Sequence, residues 1–106
     1  MDCLEAYKAG GHRTDLLPED AAERKKHPLY RGLMMYFPDA LIAVSRVSWE
    51  GNNQHHPGTD LHWDRSKSTD EPDALLRHML EGDREKTAWR ALAWLQKGIE
   101  EQKESQ

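Results

Sequence analysis

The chain has 106 residues, of which 37 % are hydrophobic and 32 % are charged, and its formal net charge is −4. This length predicts a single domain, residues 1–106, whose small core would be supplemented by assembly into a homo-oligomer. The acidic balance argues against non-specific nucleic-acid binding. Because the sequence has one cysteine, no secretory signal and no apolar run of about 18 residues, we expect a cytoplasmic protein without membrane attachment.

Three short segments open the chain. Residues 1–15 are predicted to be a possible flexible arm, because two glycines interrupt a short helical pattern. Residues 16–27, LLPEDAAERKKH, are typical of a short solvated helix with Pro18 at its first position. Residues 28–36 predict a further short helix or turn, which the next proline separates from the segment that follows.

A longer helix is predicted from Pro38 to about Glu50, where apolar residues recur at helical spacing; its β-branched residues leave a strand as the alternative. Gly51 is predicted to end this helix. The polar loop that follows, at about residues 51–70, contains two adjacent histidines, a tryptophan and several charged residues. Loops of this length are uncommon in compact domains and are often functional.

Two more helices are predicted after the loop. The first is capped by Thr69 or Asp70 and has Pro72 in its first turn, and the second spans about residues 84–103. Each is predicted to bury an apolar stripe. The stripes are Leu75, Leu76, Met79 and Leu80 in the first helix, and Ala88, Leu92, Leu95 and Ile99 in the second.

The connection between these two helices, residues 81–83, is short enough that they should pack antiparallel. Together the elements predict an all-α protein. We expect a small bundle of three to four helices with one long functional loop at about residues 51–70.

The sequence DRSKS at residues 64–68 has the residue types of a phosphate site. Arg65 and Lys67 offer charge-assisted hydrogen bonds, Ser68 offers a hydroxyl, and the helix that follows attracts anions at its N-terminus. The alternative is a solvated polar loop that caps the helix.

Trp63, which lies between His62 and Asp64, is open to two interpretations. An indole in a polar loop can stack on a nucleobase, a contact worth roughly 1–3 kcal/mol. Equally, the indole can fold back onto the helices and hold the loop in place.

Three acids near the second half of the loop, Asp64, Asp70 and Asp73, are candidate ligands for Mg²⁺, which proteins bind with one or two carboxylates and substrate phosphates. The alternative is that acids at a helix start complement the helix dipole. On the last helix, Lys86 and Arg90 lie one turn apart, and two neighbouring cations favour a nearby anion.

Most of the chain, residues 27–97, resembles a phage-encoded family labelled dATP/dGTP diphosphohydrolase-like, which is similar to the all-α MazG-type nucleotide pyrophosphohydrolases. The segments that carry the resemblance are G-N-x-Q-H-x-P-G, L-H-W-x-R-x-K-S and R-H. The resemblance implies helical architecture, assembly into dimers or higher oligomers, and a purine nucleotide at the loop. The matching positions are Asn52, Gln54, His55, Pro57, Gly58, His62, Trp63, Arg65, Lys67, Ser68, Asp73, Arg77, His78, Lys86 and Arg90.

Two departures from the family pattern weaken a catalytic metal site. MazG-type enzymes hold Mg²⁺ with paired Glu-x-x-Glu and Glu-x-x-Asp motifs, whereas the one Glu-x-x-Glu here is Glu101 to Glu104, near the C-terminus. The connection before the last helix is also shorter than in the relatives, with Asp83 where a histidine is expected.

We therefore expect an anti-defence sponge in the cytoplasm of an infected bacterial host, which binds a purine nucleotide or a cyclic nucleotide immune signal without cleaving it and needs no cofactor. One alternative is an Mg²⁺-dependent dATP/dGTP pyrophosphohydrolase that uses Asp64, Asp70 and Asp73, and another is a helical partner-binding protein. The expected nucleotide-binding residues are Asn52, Gln54, His55, His62, Trp63, Arg65, Lys67, Ser68, Arg77, Lys86 and Arg90.

Overall fold

A computed structural model describes residues 16–105 of the protein, so the predicted N-terminal arm at residues 1–15 lies outside the described residues. Within them the chain forms five helical segments and no strand, which confirms the all-α prediction. In this part of the chain, none of the helices has both the length and the apolar character that crossing a bilayer requires.

Helix α1, Ala21–Arg24, is shorter than the sequence pattern predicts. It begins after Asp20, whose Oδ2 accepts a hydrogen bond from the Glu23 amide at 3.0 Å. This side-chain cap fixes the start of the helix, so Pro18 precedes the helix rather than occupying its first position.

A π-helical turn, Tyr30–Met34, follows α1. Its backbone passes close to the ring of Pro28, and a Cβ atom at Gly32 would lie 3.0 Å from Pro28 Cγ. Glycine at this position therefore permits a close approach that any larger residue would have to widen.

Helix α2, Pro38–His55, is longer than predicted and continues through Gly51. The backbone φ of Gly51 is not positive, so this glycine takes the helical conformation and does not end the helix. The helix ends before Pro57, because the residue that precedes a proline is disfavoured in the helical region. The predicted loop at 51–70 is therefore corrected to residues 56–70, and its first five residues belong to α2.

Helices α3, Glu71–Leu80, and α4, Arg84–Glu104, follow the loop and match the predicted bounds closely. They are joined by a tight turn in which Gly82 has a φ of +77°. The first residue of α3 contacts Arg90 and Lys97 of α4, so the two helices run antiparallel, as predicted. Helix α4 also packs against α2 and is the central helix of the described fold.

The predicted apolar stripes of α3 and α4 are mostly exposed in the single chain, which contradicts the prediction that they are buried. Among the described residues, the buried ones are Ala74, Ala93 and Glu71. Small residues and ion pairs make the contact between α3 and α4, so the large apolar side chains point away from it. The exposed large residues of the two stripes are Leu76, Met79, Leu80, Leu92, Leu95 and Ile99.

Candidate functional site

The end of the loop is fixed to α4 by an ion-pair cluster around Glu71, which is 4 % exposed. The Glu71 carboxylate accepts hydrogen bonds from Arg90 Nη1 at 3.0 Å and from Lys97 Nζ at 2.8 Å. Arg90 Nη1 also donates to Ser68 Oγ at 3.0 Å, and Lys97 Nζ donates to the Ser68 carbonyl at 2.7 Å. We call Ser68, Glu71, Arg90 and Lys97 the anchor cluster.

The indole of Trp63 provides a second attachment between the loop and the helices. Its ring packs edge-on against Trp89, with ring centroids 5.7 Å apart. Trp89 is itself held by a hydrogen bond from its Nε1 to Ser48 Oγ at 2.8 Å. The Arg65 guanidinium lies 4.2 Å from the centroid of the Trp63 ring. These contacts favour the interpretation in which Trp63 holds the loop in place over the one in which it stacks on a base.

Most cations of the predicted phosphate site already have an acidic partner within the chain. Arg65 Nη2 donates to Glu100 Oε2 at 2.9 Å, and Arg77 Nη2 donates to Asp70 Oδ2 at 3.2 Å. The amine of Lys86 lies 3.9 Å from Asp83 Oδ2. Intrachain neutralisation of this kind leaves less positive charge for a phosphate than the sequence suggested.

Lys67 differs from these cations because its amine forms no hydrogen bond or ion pair with the described residues. Its side chain is exposed. Its charge is close enough to help lower the pKa of Asp64. Lys67 is therefore the cation of the loop that is available to an anion from solution.

Of the three acids proposed as metal ligands, Asp73 is exposed and the other two are engaged by neighbouring side chains. The Ser66 hydroxyl and amide donate hydrogen bonds to Asp64 and hold the pKa of Asp64 below its ordinary value. The Arg77 side chain, with help from Ser68, does the same for the pKa of Asp70. No group of three or more His, Cys, Asp or Glu side chains within residues 16–105 is arranged to hold a metal ion. The Mg²⁺ site remains a prediction.

The first half of the loop brings together rings and an amide. The rings of His56 and His62 lie with their centroids 4.7 Å apart, and His62 is exposed. Asn52, at the end of α2, donates from its amide nitrogen to the Thr59 carbonyl at 3.3 Å. The amide oxygen of Asn52 is buried and has no hydrogen-bond partner among the described residues. Gln54 and His55, also predicted site residues, are exposed near the same end of α2.

A groove of about 480 Å³ lies between the start of α3 and the second half of α4. Its lining contains four glutamates but two cations, so its charge disfavours a polyphosphate. These charged residues are Arg65, Lys97, Glu71, Glu100, Glu101 and Glu104. The exposed side chains of His62 and Lys67 are not part of this groove and are better suited to an anionic ligand.

The sequence analysis did not identify Glu71, Lys97 or Glu100, although these residues position the loop. A signal was present, since Arg90 and Lys97 are seven residues apart and therefore lie on one face of α4. Two cations on the inward face of a helix require a buried acid.

Comparison with known proteins adds no relative: no family model, curated protein or solved structure matches the chain. The likeness to the dATP/dGTP diphosphohydrolase-like family therefore remains a prediction from the motifs around the loop.

Proposed function

We propose that the protein binds a purine nucleotide, or a cyclic nucleotide signal, through the exposed side chains of His62 and Lys67 in the loop. The observation that supports this most strongly is that Trp63 and the anchor cluster fix the loop to α4, while the ring of His62 and the unpaired amine of Lys67 stay in contact with solvent. A loop fixed before the ligand arrives loses less conformational entropy on binding.

The base and the phosphate of a nucleotide each have a candidate contact in the loop. The exposed ring of His62 offers a stacking surface to a base, and the unpaired amine of Lys67 offers a charge-assisted hydrogen bond to a phosphate. The buried amide of Asn52 contributes indirectly, because its hydrogen bond to the Thr59 carbonyl holds the first half of the loop to the end of α2. The recognition would thus combine stacking and one cation.

The same geometry favours capture over cleavage. Metal-dependent hydrolysis of a nucleotide requires carboxylates that share an ion. Asp64 instead accepts hydrogen bonds from Ser66, and Asp70 is paired with Arg77, so the two carboxylates have separate partners. We therefore propose sequestration, as expected for a sponge, as the activity of the protein.

The proposal is tested by incubating the full chain with Mg²⁺ and a panel of dATP, dGTP and cyclic dinucleotides. The free nucleotide is measured after filtration, and the total is measured by chromatography after denaturation. We expect one nucleotide to be depleted from the filtrate and to return intact. Release of a monophosphate and pyrophosphate would instead establish the hydrolase alternative, and no depletion of any nucleotide would refute binding.

Two variants locate the site. Lys67→Ala should raise the dissociation constant by roughly 10- to 150-fold, since a charge-assisted hydrogen bond is worth about 1.5–3 kcal/mol. His62→Ala should weaken binding by a similar factor through lost stacking. Lys25→Ala is the matched control, because Lys25 is also exposed and its amine has no partner in the described structure. An equal effect of Lys25→Ala would show that binding follows net charge alone.

A further inference from the structure

The ring of His62 is in contact with a second imidazole, that of His56, which is not among the residues predicted to bind a nucleotide. The two ring centroids lie 4.7 Å apart and the ring planes are inclined at 45°. This separation falls within the range of attractive ring contacts in proteins, about 4.5–7 Å. His56 is half-buried, whereas His62 is exposed. The more exposed of the two rings is therefore supported by the less exposed one.

The backbone of His56 is fixed by hydrogen bonds on both sides. Its amide donates to the Asn52 carbonyl of α2 at 2.8 Å. Its carbonyl accepts from Thr59 Oγ1 at 2.6 Å and from the Thr59 amide at 3.2 Å. The Asn52 side chain holds the same turn through its hydrogen bond to the Thr59 carbonyl, at 3.3 Å. His56 thus has a defined position where α2 ends and the loop begins.

These backbone contacts do not explain why residue 56 is a histidine. An amide donor and a carbonyl acceptor are present in every residue other than proline, so many side chains would permit the same turn. What the side chain of His56 adds is a ring beside His62.

The ring of His62 has a second restraint at its own edge. Its Nδ1 lies 3.0 Å from the Asp60 carbonyl, and because a carbonyl oxygen accepts, Nδ1 is the donor. The hydrogen bond to Asp60 and the contact with His56 both restrict the rotation of an exposed side chain. A side chain that is ordered before the ligand arrives loses less conformational entropy on binding.

We propose that His56 is a positioning residue for nucleotide capture, whose ring holds the ring of His62 in the orientation that stacks on the base. This inference rests on the proposed function and deepens it, since His56 acts through His62 and does not touch the nucleotide. Lys67 meets the phosphate whatever the state of the His62 ring. His56 therefore affects the part of the affinity that comes from the base and leaves the phosphate part unchanged.

Equilibrium filtration of the native chain, His56→Ala and His56→Phe tests this role. The probe is the nucleotide among dATP, dGTP and cyclic dinucleotides that the native chain depletes. His56→Ala should raise its dissociation constant by roughly 2- to 12-fold, the equivalent of the about 0.5–1.5 kcal/mol that ordering one side chain costs. His56→Phe should restore most of the affinity, because it keeps a ring beside His62. His27→Ala is the matched control, since His27 is also exposed but follows α1, and it should leave the dissociation constant unchanged.

Inorganic triphosphate separates positioning of a ring from a general loss of loop structure. It has no base, so His56→Ala should leave its dissociation constant, measured by displacement of the nucleotide, unchanged. Lys67→Ala should weaken the binding of both ligands.

Carbon relaxation of the His62 ring, measured without a ligand, tests the ordering directly. The order parameter of the ring should fall in His56→Ala and recover in His56→Phe. A native chain that depletes no nucleotide refutes the proposed function, and His56 then has no role in binding. Where the native chain binds, unchanged affinity or unchanged ring order in His56→Ala refutes the positioning role alone. Equal weakening of the nucleotide and of inorganic triphosphate by His56→Ala would also overturn it, because it would assign His56 to the structure of the whole loop.

Discussion

The Glu71→Gln substitution should destabilise the fold by about 3 kcal/mol. Glu71 is 4 % exposed and is the shared acid of Arg90, at 3.0 Å, and Lys97, at 2.8 Å. Removing one partner of a buried ion pair costs about 3–5 kcal/mol, because the other charge is left without compensation. The side chains of Arg90 and Lys97 remain 26 % and 21 % exposed, so water screens part of the loss and the lower end of that range applies.

Urea unfolding followed by tryptophan fluorescence and circular dichroism, at one fixed protein concentration, measures this loss. Asp73→Asn is the matched control, since Asp73 is also an acid in the first turn of α3 but is exposed. It should cost less than about 1 kcal/mol. If both substitutions cost the same, the ion pairs of Glu71 do not stabilise the fold, and the account of the anchor cluster fails.

Four other substitutions have expected outcomes. In α2, Gly51→Ala should raise the free energy of unfolding by about 0.5–1 kcal/mol, because this glycine is already helical and has space for a Cβ atom. Gly82→Ala should lower the free energy of unfolding by about 1–2 kcal/mol, because the φ of Gly82 is +77°. Changes of the same sign for the two substitutions in urea unfolding would contradict this. Ser66→Ala should raise the pKa of Asp64, which hydrogen bonds from Ser66 now hold below 3.8, as followed by carboxyl chemical shifts. The pKa of Asp64 is lower in the folded protein than its ordinary value of 3.8, so ionised Asp64 stabilises the folded loop above pH 3.8 and this contribution is lost as the pH falls further. An unchanged titration midpoint of Asp64 in Ser66→Ala would show that Ser66 does not lower this pKa. Trp63→Ala should destabilise the fold by about 2 kcal/mol, which is less than the cost of removing a fully buried tryptophan. Hydrogen exchange should show a loss of protection in the loop. Unchanged protection would show that the indole contact is dispensable.

The helical fold could be predicted from local signals. Pro38 and Pro72 mark helix starts, and Gly82 marks the turn between α3 and α4, because each acts through its own backbone. The prediction that Gly51 ends α2 also relied on a local signal, and it was wrong. A glycine ends a helix when it takes a positive φ, and its neighbours alone do not determine whether it will.

The surroundings of the apolar stripes could not be predicted. The spacing of Leu92, Leu95 and Ile99 indicates one helix face, but it does not specify whether that face meets the same chain or another molecule. The prediction assigned the face to the core of the single chain, and the structure exposes it.

The contacts of the candidate site residues could be predicted from the sequence only to a small extent. Residue types around Arg65 and Lys67 indicated an anion site, but the partner of each cation depends on tertiary contacts. Arg65 is held by Glu100, 35 residues away, whereas the Lys67 amine forms no ion pair with the described residues. Such long-range pairing has no local sequence signal.

The position of Lys97 has a consequence for how the protein opens. Its single amine joins the Arg65 and Ser68 carbonyls of the loop, and the first residue of α3, to the middle of α4. Opening of the loop therefore disturbs the same amine that holds the first turn of α3 to α4. Amide hydrogens in the loop and in that turn should exchange with one common opening free energy, as a single cooperative unit, although one segment is irregular and the other is helical.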